Sequence, residues 1–404
     1  MGTVTPIHDE ARELLPEYVE RLRALVGVDS GSLDPGGVDA VGDLVSGYLA
    51  DAGAEVERVP VRHPDGGPLG HAVVGRLSGP EPGPTLLLAG HLDTVFERGT
   101  AARRPFTVEN GRWARGPGVC DDKGGLLAGI TAMKIAAPRL RAGDLVLYCG
   151  PDEEIGSLGS RPLLASLTDG ADLALCLECA REDGSVVTGR KGVADVEVTF
   201  RGRAAHAGIE REAGANAALA CARAAVRIER LNGRWPDAGI NIGVMRSGHR
   251  PNVVPDTATL VLDVRADLPS TYTAVLDAID RIASDVLVPG VEAKTAVVAP
   301  APPWSPGAGD TLLRDHYLAL AEQAGVDLAA VSTGGSADAN LIAARGIPVL
   351  DGLGPVGGGD HGPDEWLDLD SVAPRTALLA ELILWTADGG VLGSGTRGAS
   401  AVQS

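Results

Sequence analysis

Aromatic residues are scarce: Trp, Tyr and Phe together make up 3% of the 404-residue chain. Packing therefore falls to aliphatic side chains. With hydrophobic residues at 44% and charged residues at 22%, a large core is available and wholesale disorder is excluded. Positive charge is also short, since 35 basic against 54 acidic residues leave a formal charge of −19. Such a surface repels nucleic acid and anionic membranes, and neither is expected as a partner. No apolar run approaches the roughly 18 residues that span a bilayer. The first eleven residues lack the charged-then-apolar pattern of an export signal, so a cytoplasmic location is expected. Cysteines are few, five in number at 120, 149, 176, 179 and 221, an odd and scattered set that argues against a disulfide framework. Cys176 and Cys179 form one C-x-x-C, but no second pair stands at zinc-site spacing, so these read as buried free thiols.

What is present is a change of periodicity along the chain, over a length that fits two domains. The spacing predicts a helix over 16–26 with Pro16 in its first turn, and further helices over 125–137 and 310–324. The first ten residues and the tail from Asp388 lack periodicity and read as frayed. Short apolar runs at 85–89, 144–149, 171–177 and 347–350 read as strands buried on both faces. Such strands, separated by helices, predict a mostly parallel sheet in an α/β domain. The middle third alternates instead. Val196, Val198 and Phe200 oppose Asp195, Glu197 and Thr199, and Ala258, Leu260, Leu262 and Val264 oppose Thr259, Asp263 and Arg265. These are half-buried strands of a sheet covered on one side. With helices over 215–231 and 270–286, the order is β-α-β-β-α-β, the ferredoxin-like arrangement. The expected architecture is a larger α/β domain, 1–189 and 299–404, interrupted by an α+β insert over 190–298. The segment Pro-Ala-Pro-Pro-Trp-Ser-Pro at 300–306 reads as a stiff connector back into the larger domain.

Ligands of open α/β sheets gather at the carboxyl ends of the strands. His91 and Asp93 follow the first of the buried runs, Asp152, Glu153 and Glu154 follow the second, and Glu178 follows the third. Asp360 and His361 lie in the glycine-rich loop after the fourth, and Asp121 and Asp122 precede a helix. Taken singly, each has a plainer reading as a cap, a solvated turn or a surface loop residue. Together they deliver imidazoles and carboxylates to one rim. Mutually repelling carboxylates there require a cation, and the mixed donor set suits zinc.

The motifs Gly90-His91-Leu92-Asp93-Thr94-Val95, Gly118-Val119-Cys120-Asp121-Asp122-Lys123-Gly124-Gly125, Pro151-Asp152-Glu153-Glu154-Ile155-Gly156-Ser157, Leu177-Glu178-Cys179 and Asp360-His361-Gly362-Pro363 stand in one order. In that order they resemble the zinc metallopeptidase family of glutamate carboxypeptidase, acetylornithine deacetylase, succinyl-diaminopimelate desuccinylase and aminoacylase. The segments 334–339 and 352–355 resemble the glutamate carboxypeptidases within it. The resemblance implies two Zn2+ per chain, with Co2+ or Mn2+ as substitutes. It implies that Asp121 bridges them, that His91 and Glu178 complete one site, and that Glu154 and His361 complete the other. It further implies that Asp93 orients the His91 ring and that Glu153 is the general base.

In the insert, the segment 202–208 resembles the family stretch whose His206 reaches across a homodimer to stabilise the oxyanion in the partner's site. The insert would thus serve as a lid and dimerisation domain. Asn252 and Arg265 resemble residues that hold the substrate carboxylate, although Arg265 also suits an ordinary pairing with Asp263. The expected substrate is a small molecule or short peptide with a free carboxylate, cleaved at an amide bond. A biosynthetic deacylase, or an aminoacyl-releasing enzyme for a dedicated metabolite or carrier protein, is the alternative within the same chemistry. A catalytically silent binding protein is the alternative outside it, and the intact Glu153 and ligand set count against it. One departure from the family pattern is Cys120, which stands where a small apolar residue is commoner and bears on redox or metal sensitivity.

Overall fold

The computed structural model describes residues 5–285 and 288–390. The chain forms two compact units, and the first takes in the residues up to Thr188, Pro306–Ser332 and the chain from Ala337 onward. Its main sheet has six strands in the order Glu55–Arg62, Pro68–Ser78, Ala142–Gly150, Glu81–His91, Leu173–Cys176, Val349–Leu350. The last four run parallel. Their centres are purely aliphatic, with Leu86, Leu87, Leu88, Leu145 and Leu147 all fully buried, as parallel strands covered on both faces require.

The sheet is thus mostly parallel, as expected, while the first two strands add an antiparallel side that the expectation did not include. They are joined through Asp65-Gly66-Gly67, where His63 N–H donates to the Gly67 carbonyl and Gly66 takes φ +90°. A hairpin signal was thus present in the sequence, but the charged edge strand Glu55–Arg62 carries too few apolar residues to stand out. Two small sheets also belong to the fold, one pairing Ala330–Thr333 with Val186–Arg190, the other built from short strands between Thr107 and Asp368.

The helices Pro6–Val26, Lys123–Ala136 and Leu369–Ala387 pack on one another beside this sheet. The first begins ten residues before the expected start and carries Pro16 inside it. Burial of His8, Ala11, Tyr18 and Leu22 along one continuous face outweighs the hydrogen bond that Pro16 cannot make. Residues 6–10, expected to fray, are therefore helical, and residues 1–4 lie outside the described residues. At the other end Asp388 caps the last helix, and the expectation for 391–404 falls outside them too.

The second unit comprises Gly189–Ser305 with Thr333–Ser336. Its elements are Gly192–Arg201, Ala217–Glu229, Ala238–Ser247, Thr257–Ala266, Pro269–Ser284 and Glu292–Ala301, in β-α-β-β-α-β order. The four strands are antiparallel, with Gly192–Arg201 and Thr257–Ala266 in the centre. The alternation read from the sequence has its physical consequence here. Val196, Val198, Phe200, Leu260, Leu262 and Val264 share one core with Cys221, Ile228, Val275 and Ile279 of the two helices. Of the helix expected over 270–286, residue 286 lies outside the described residues. Among the described residues no helix is long and apolar enough to cross a membrane.

A buried arginine ties the last helix to the segment leading into the glycine-rich loop. Arg375, 1% exposed, donates from Nε to the Gly354 carbonyl, from Nη1 to Gly184 and from Nη2 to Gly352, at 2.6, 2.9 and 2.6 Å. Arg375→Leu would leave three buried carbonyls without a donor, and a loss of about 3 kcal/mol or more is expected. Urea denaturation measures it, and an unchanged midpoint would refute the role.

Candidate metal centre

His91 is the last residue of its strand and lies in register with Gly150 of one parallel neighbour. Asp93 and the 152–154 turn therefore leave the sheet at the same edge, and Glu178 leaves two residues past the strand Leu173–Cys176 on the other side. The helix Lys123–Ala136 begins at that edge and brings Asp121 with it. It comes this close because Gly125 has no side chain, and a Cβ there would collide with the Leu177 carbonyl oxygen. His361 arrives from the glycine-rich loop with φ +62°, a left-handed conformation uncommon for a residue with a side chain.

The Asp121 carboxylate lies between the two imidazoles. Its Oδ1 is 2.9 Å from His91 Nε2, and its Oδ2 is 3.2 Å from His361 Nε2. Glu178 Oε1 is 3.9 Å from His91 Nε2, and Glu154 Oε2 is 3.1 Å from His361 Nε2. Glu153 groups with His91 and Glu178, their ligand-type atoms all within 4.8 Å of one another. On its other side, His91 Nδ1 faces the Asp93 carbonyl at 3.0 Å and the Asp93 carboxylate at 3.3 Å. Both are acceptors, so Nδ1 donates on that side, and Nε2, which faces Asp121, is the nitrogen left to hold a metal ion.

Six carboxylates, of Asp93, Asp121, Asp122, Glu153, Glu154 and Glu178, thus crowd around two imidazoles. Burial opposes the charged form of His91, yet hydrogen bonds to Asp121 and Asp93 raise it well above the ordinary histidine value. Hydrogen bonds to Asp121 and Glu154 push His361 up to about 10. Burial drives Glu153 and Asp122 well above the usual carboxylate range and raises Glu154. Asp121 moves down, because the two imidazoles outweigh its burial. The rim demands positive charge at its centre, and imidazole and carboxylate donors together fit a divalent ion of the zinc class.

Ser32 and Glu365, which help to hold this rim, left no readable trace in the sequence. Ser32 Oγ donates to Asp93 Oδ2 at 2.6 Å, and the Asp93 carboxylate accepts the backbone N–H of Glu153 at 3.1 Å and of Glu154 at 3.2 Å. Asp93 thus splints the acidic turn as well as the His91 ring. Glu365 accepts from the N–H groups of Gly118, Cys120 and Asp121 at 2.8, 2.9 and 3.1 Å, tying the Asp121 loop to the His361 loop. Burial pushes Glu365 up to about 7 against those three bonds. Asp338, from the 334–339 motif, receives the Ser157 hydroxyl beneath the acidic turn. Beside Glu154 opens a cavity of about 430 Å³, lined by Ser32, Leu33, Val95, Phe96 and Ile155 among others.

Three of the expected site residues belong to the second unit. His206 is exposed, its strand-like pairing is with Val253, and its Nδ1 accepts from Gly208 N–H. The Asn252 carbonyl accepts from Ala207 N–H at 3.0 Å, so Asn252 and His206 lie close together. Arg265 donates from Nε and Nη2 to Asp263, each at 3.0 Å, and from Nη1 to the Gly334 carbonyl at 2.9 Å.

The chain matches peptidase family M20/M25/M40 over residues 87–385. It is 32% identical over 375 residues to carboxypeptidase G2 of Pseudomonas sp. (strain RS-16), covering 91% of this chain and 89% of that protein. Among solved structures it resembles a tripeptidase from Staphylococcus aureus, with TM-score 0.74, 21% identity, and 93% and 99% of the two chains covered. It also resembles a dinuclear metal-binding peptidase of Bacillus subtilis, with TM-score 0.68, 17% identity, and 93% and 99% covered.

Because Asp93 serves both His91 and the acidic turn, its loss should loosen donors on both sides of Asp121. Asp93→Ala is expected to weaken metal binding by about 10–100-fold, read by competition with a coloured chelator. Ser32→Ala, which removes only the bond behind Asp93, should change it far less. Unaltered affinity in Asp93→Ala would remove Asp93 from this role.

Proposed function

The chain belongs to peptidase family M20/M25/M40, a metal-dependent amidohydrolase of that kind, and on this premise we propose a two-zinc carboxypeptidase that cleaves an amide bond next to a carboxylate-bearing residue. The observation that carries the reading is the Asp121 carboxylate, which offers one oxygen to the His91 side and the other to the His361 side. Asp121 would bridge two ions, with His91 and Glu178 on one and Glu154 and His361 on the other. When bound, such a pair lowers the pKa of a shared water and polarises the scissile carbonyl.

Glu153 takes the proton of the attacking water and hands it to the leaving nitrogen. Burial raises its pKa, and a shuttle that must both accept and release a proton works best with a pKa near the operating pH. The carboxypeptidase relative supports a substrate that ends in a free carboxylate, such as an acyl-glutamate. Asn252 and Arg265 hold that carboxylate, which exchanges with Asp263 on the guanidinium fork. The apolar part of the cavity beside Glu154 suits the acyl group.

Glu153→Gln should keep the metal yet lose several orders of magnitude in turnover of acyl-glutamates, whereas Asp121→Ala should lose metal and turnover together. Metal analysis beside a hydrolysis assay reads both. Metal loss with retained turnover in Glu153→Gln would exchange the roles of Glu153 and Glu154, and turnover by Asp121→Ala would end the proposal.

We further propose that the second unit pairs two copies and lends His206 to the partner's site, where it steadies the developing oxyanion. Its surface supports this, since Ile209 is 81% exposed and Val226 55%, with Leu219 and Met245 also open to solvent. A mixture of inactive His206→Ala and inactive Glu153→Ala proteins should then regain activity, because a mixed dimer holds one intact site. Random exchange makes half the dimers mixed, so recovery should approach roughly a quarter of wild type. Subunit exchange proven by mass, with no activity returning, would show that His206 does not act across a dimer.

A further inference from the structure

Two thiols and a carboxylate meet outside the donor set described above. Cys120 Sγ points to Asp360 Oδ1 at 3.5 Å, and Cys179 Sγ lies 3.8 and 3.9 Å from the two Asp360 oxygens. The three ligand-type atoms lie within 4.8 Å of one another. Both cysteines are buried, and neither is needed by the hydrolytic reading. Cys120 owes its room to Gly357, where a Cβ would collide with its sulfur. Among the described residues the hydrogen-bonding partners of the Asp360 side chain are these two thiols, and no basic side chain pairs with it. Asp360 is only half-buried, which leaves a way in from solvent.

We propose that Cys120, Cys179 and Asp360 form a separate cation site, selective for a thiophilic d10 ion such as Cd2+ or an excess of Zn2+. Two thiolates and one carboxylate make a softer donor set than the imidazoles and carboxylates around Asp121. Binding is a proton exchange without redox change: the ion enters, two S–H bonds break, two metal–sulfur bonds form, and two protons leave to solvent. The three donors come from three separate segments, and each is the chain neighbour of a candidate ligand. Cys120 precedes Asp121, Cys179 follows Glu178 and Asp360 precedes His361. An ion that draws these donors together therefore pulls on three ligands of the neighbouring centre, and hydrolysis falls as the site fills.

The test is titration of the reduced, full-length chain with Cd2+, read by sulfur-to-cadmium charge-transfer absorption. Imidazoles and carboxylates give no such band, so the result is independent of whether the Asp121 cluster holds zinc. One equivalent of thiolate-bound Cd2+ is expected. Cys120→Ser and Cys179→Ser should each weaken it at least about tenfold, and the double variant should abolish it. Asp360→Asn, which leaves both sulfurs and the core intact, should weaken it too and guards against a misfolded cysteine variant. Cys149→Ser and Cys221→Ser should change nothing. A wild-type chain without the band, or a band that survives in the double variant, overturns the proposal.

Discussion

Carboxylates forced together at one edge of a sheet are the constraint on which this molecule is built. Parallel strands end at the same rim, and the residues just beyond them have nowhere else to go. Here those residues are acidic, and burial removes the water that would otherwise screen them. The raised carboxyls of Glu153 and Glu154 and the strongly held protons of His91 and His361 are two expressions of that one imbalance. A divalent ion resolves it by supplying charge where the side chains cannot.

An arrangement this repulsive needs a rigid frame, and the frame is polar as well as hydrophobic. Asp93 holds the backbone of the acidic turn, Glu365 gathers three N–H groups of the Asp121 loop, and Asp338 receives Ser157 below. Each of these is itself an acid, so it fixes donors by accepting hydrogen bonds from the backbone while adding to the negative field. Arg375 does the complementary work with three carbonyls, those of Gly352 and Gly354 ahead of the glycine-rich loop and that of Gly184. The same crowding that favours a hard or borderline ion around Asp121 leaves a softer pocket one residue away, where two sulfurs replace the imidazoles.

Fold and site were legible to different degrees. The buried strands showed as uninterrupted aliphatic runs, and the inserted unit showed through alternation, since a sheet covered on one face must repeat every two residues. The hairpin Glu55–Arg62 with Pro68–Ser78 did not show, because a charged edge strand lacks both signals. The early start of the first helix was hidden by Pro16, whose local penalty is outweighed by burial along the whole helix face.

By itself the sequence determined which chemistry is possible here: imidazoles and carboxylates after successive buried strands, in one order, with Glu153 beside Glu154. Residue type and strand-end position suffice for that, because the parallel strands all end at one rim. Tertiary structure alone decided how Asp121 divides its two oxygens between His91 and His361, which nitrogen of His91 faces Asp93 and which faces Asp121, and that Ser32, Glu365 and Asp338 hold the rim. It also brought Cys120 and Cys179, 59 positions apart in the chain, to one carboxylate. Such contacts join segments far apart in sequence and depend on direction at the scale of a hydrogen bond, and no local pattern of residues encodes a direction in space.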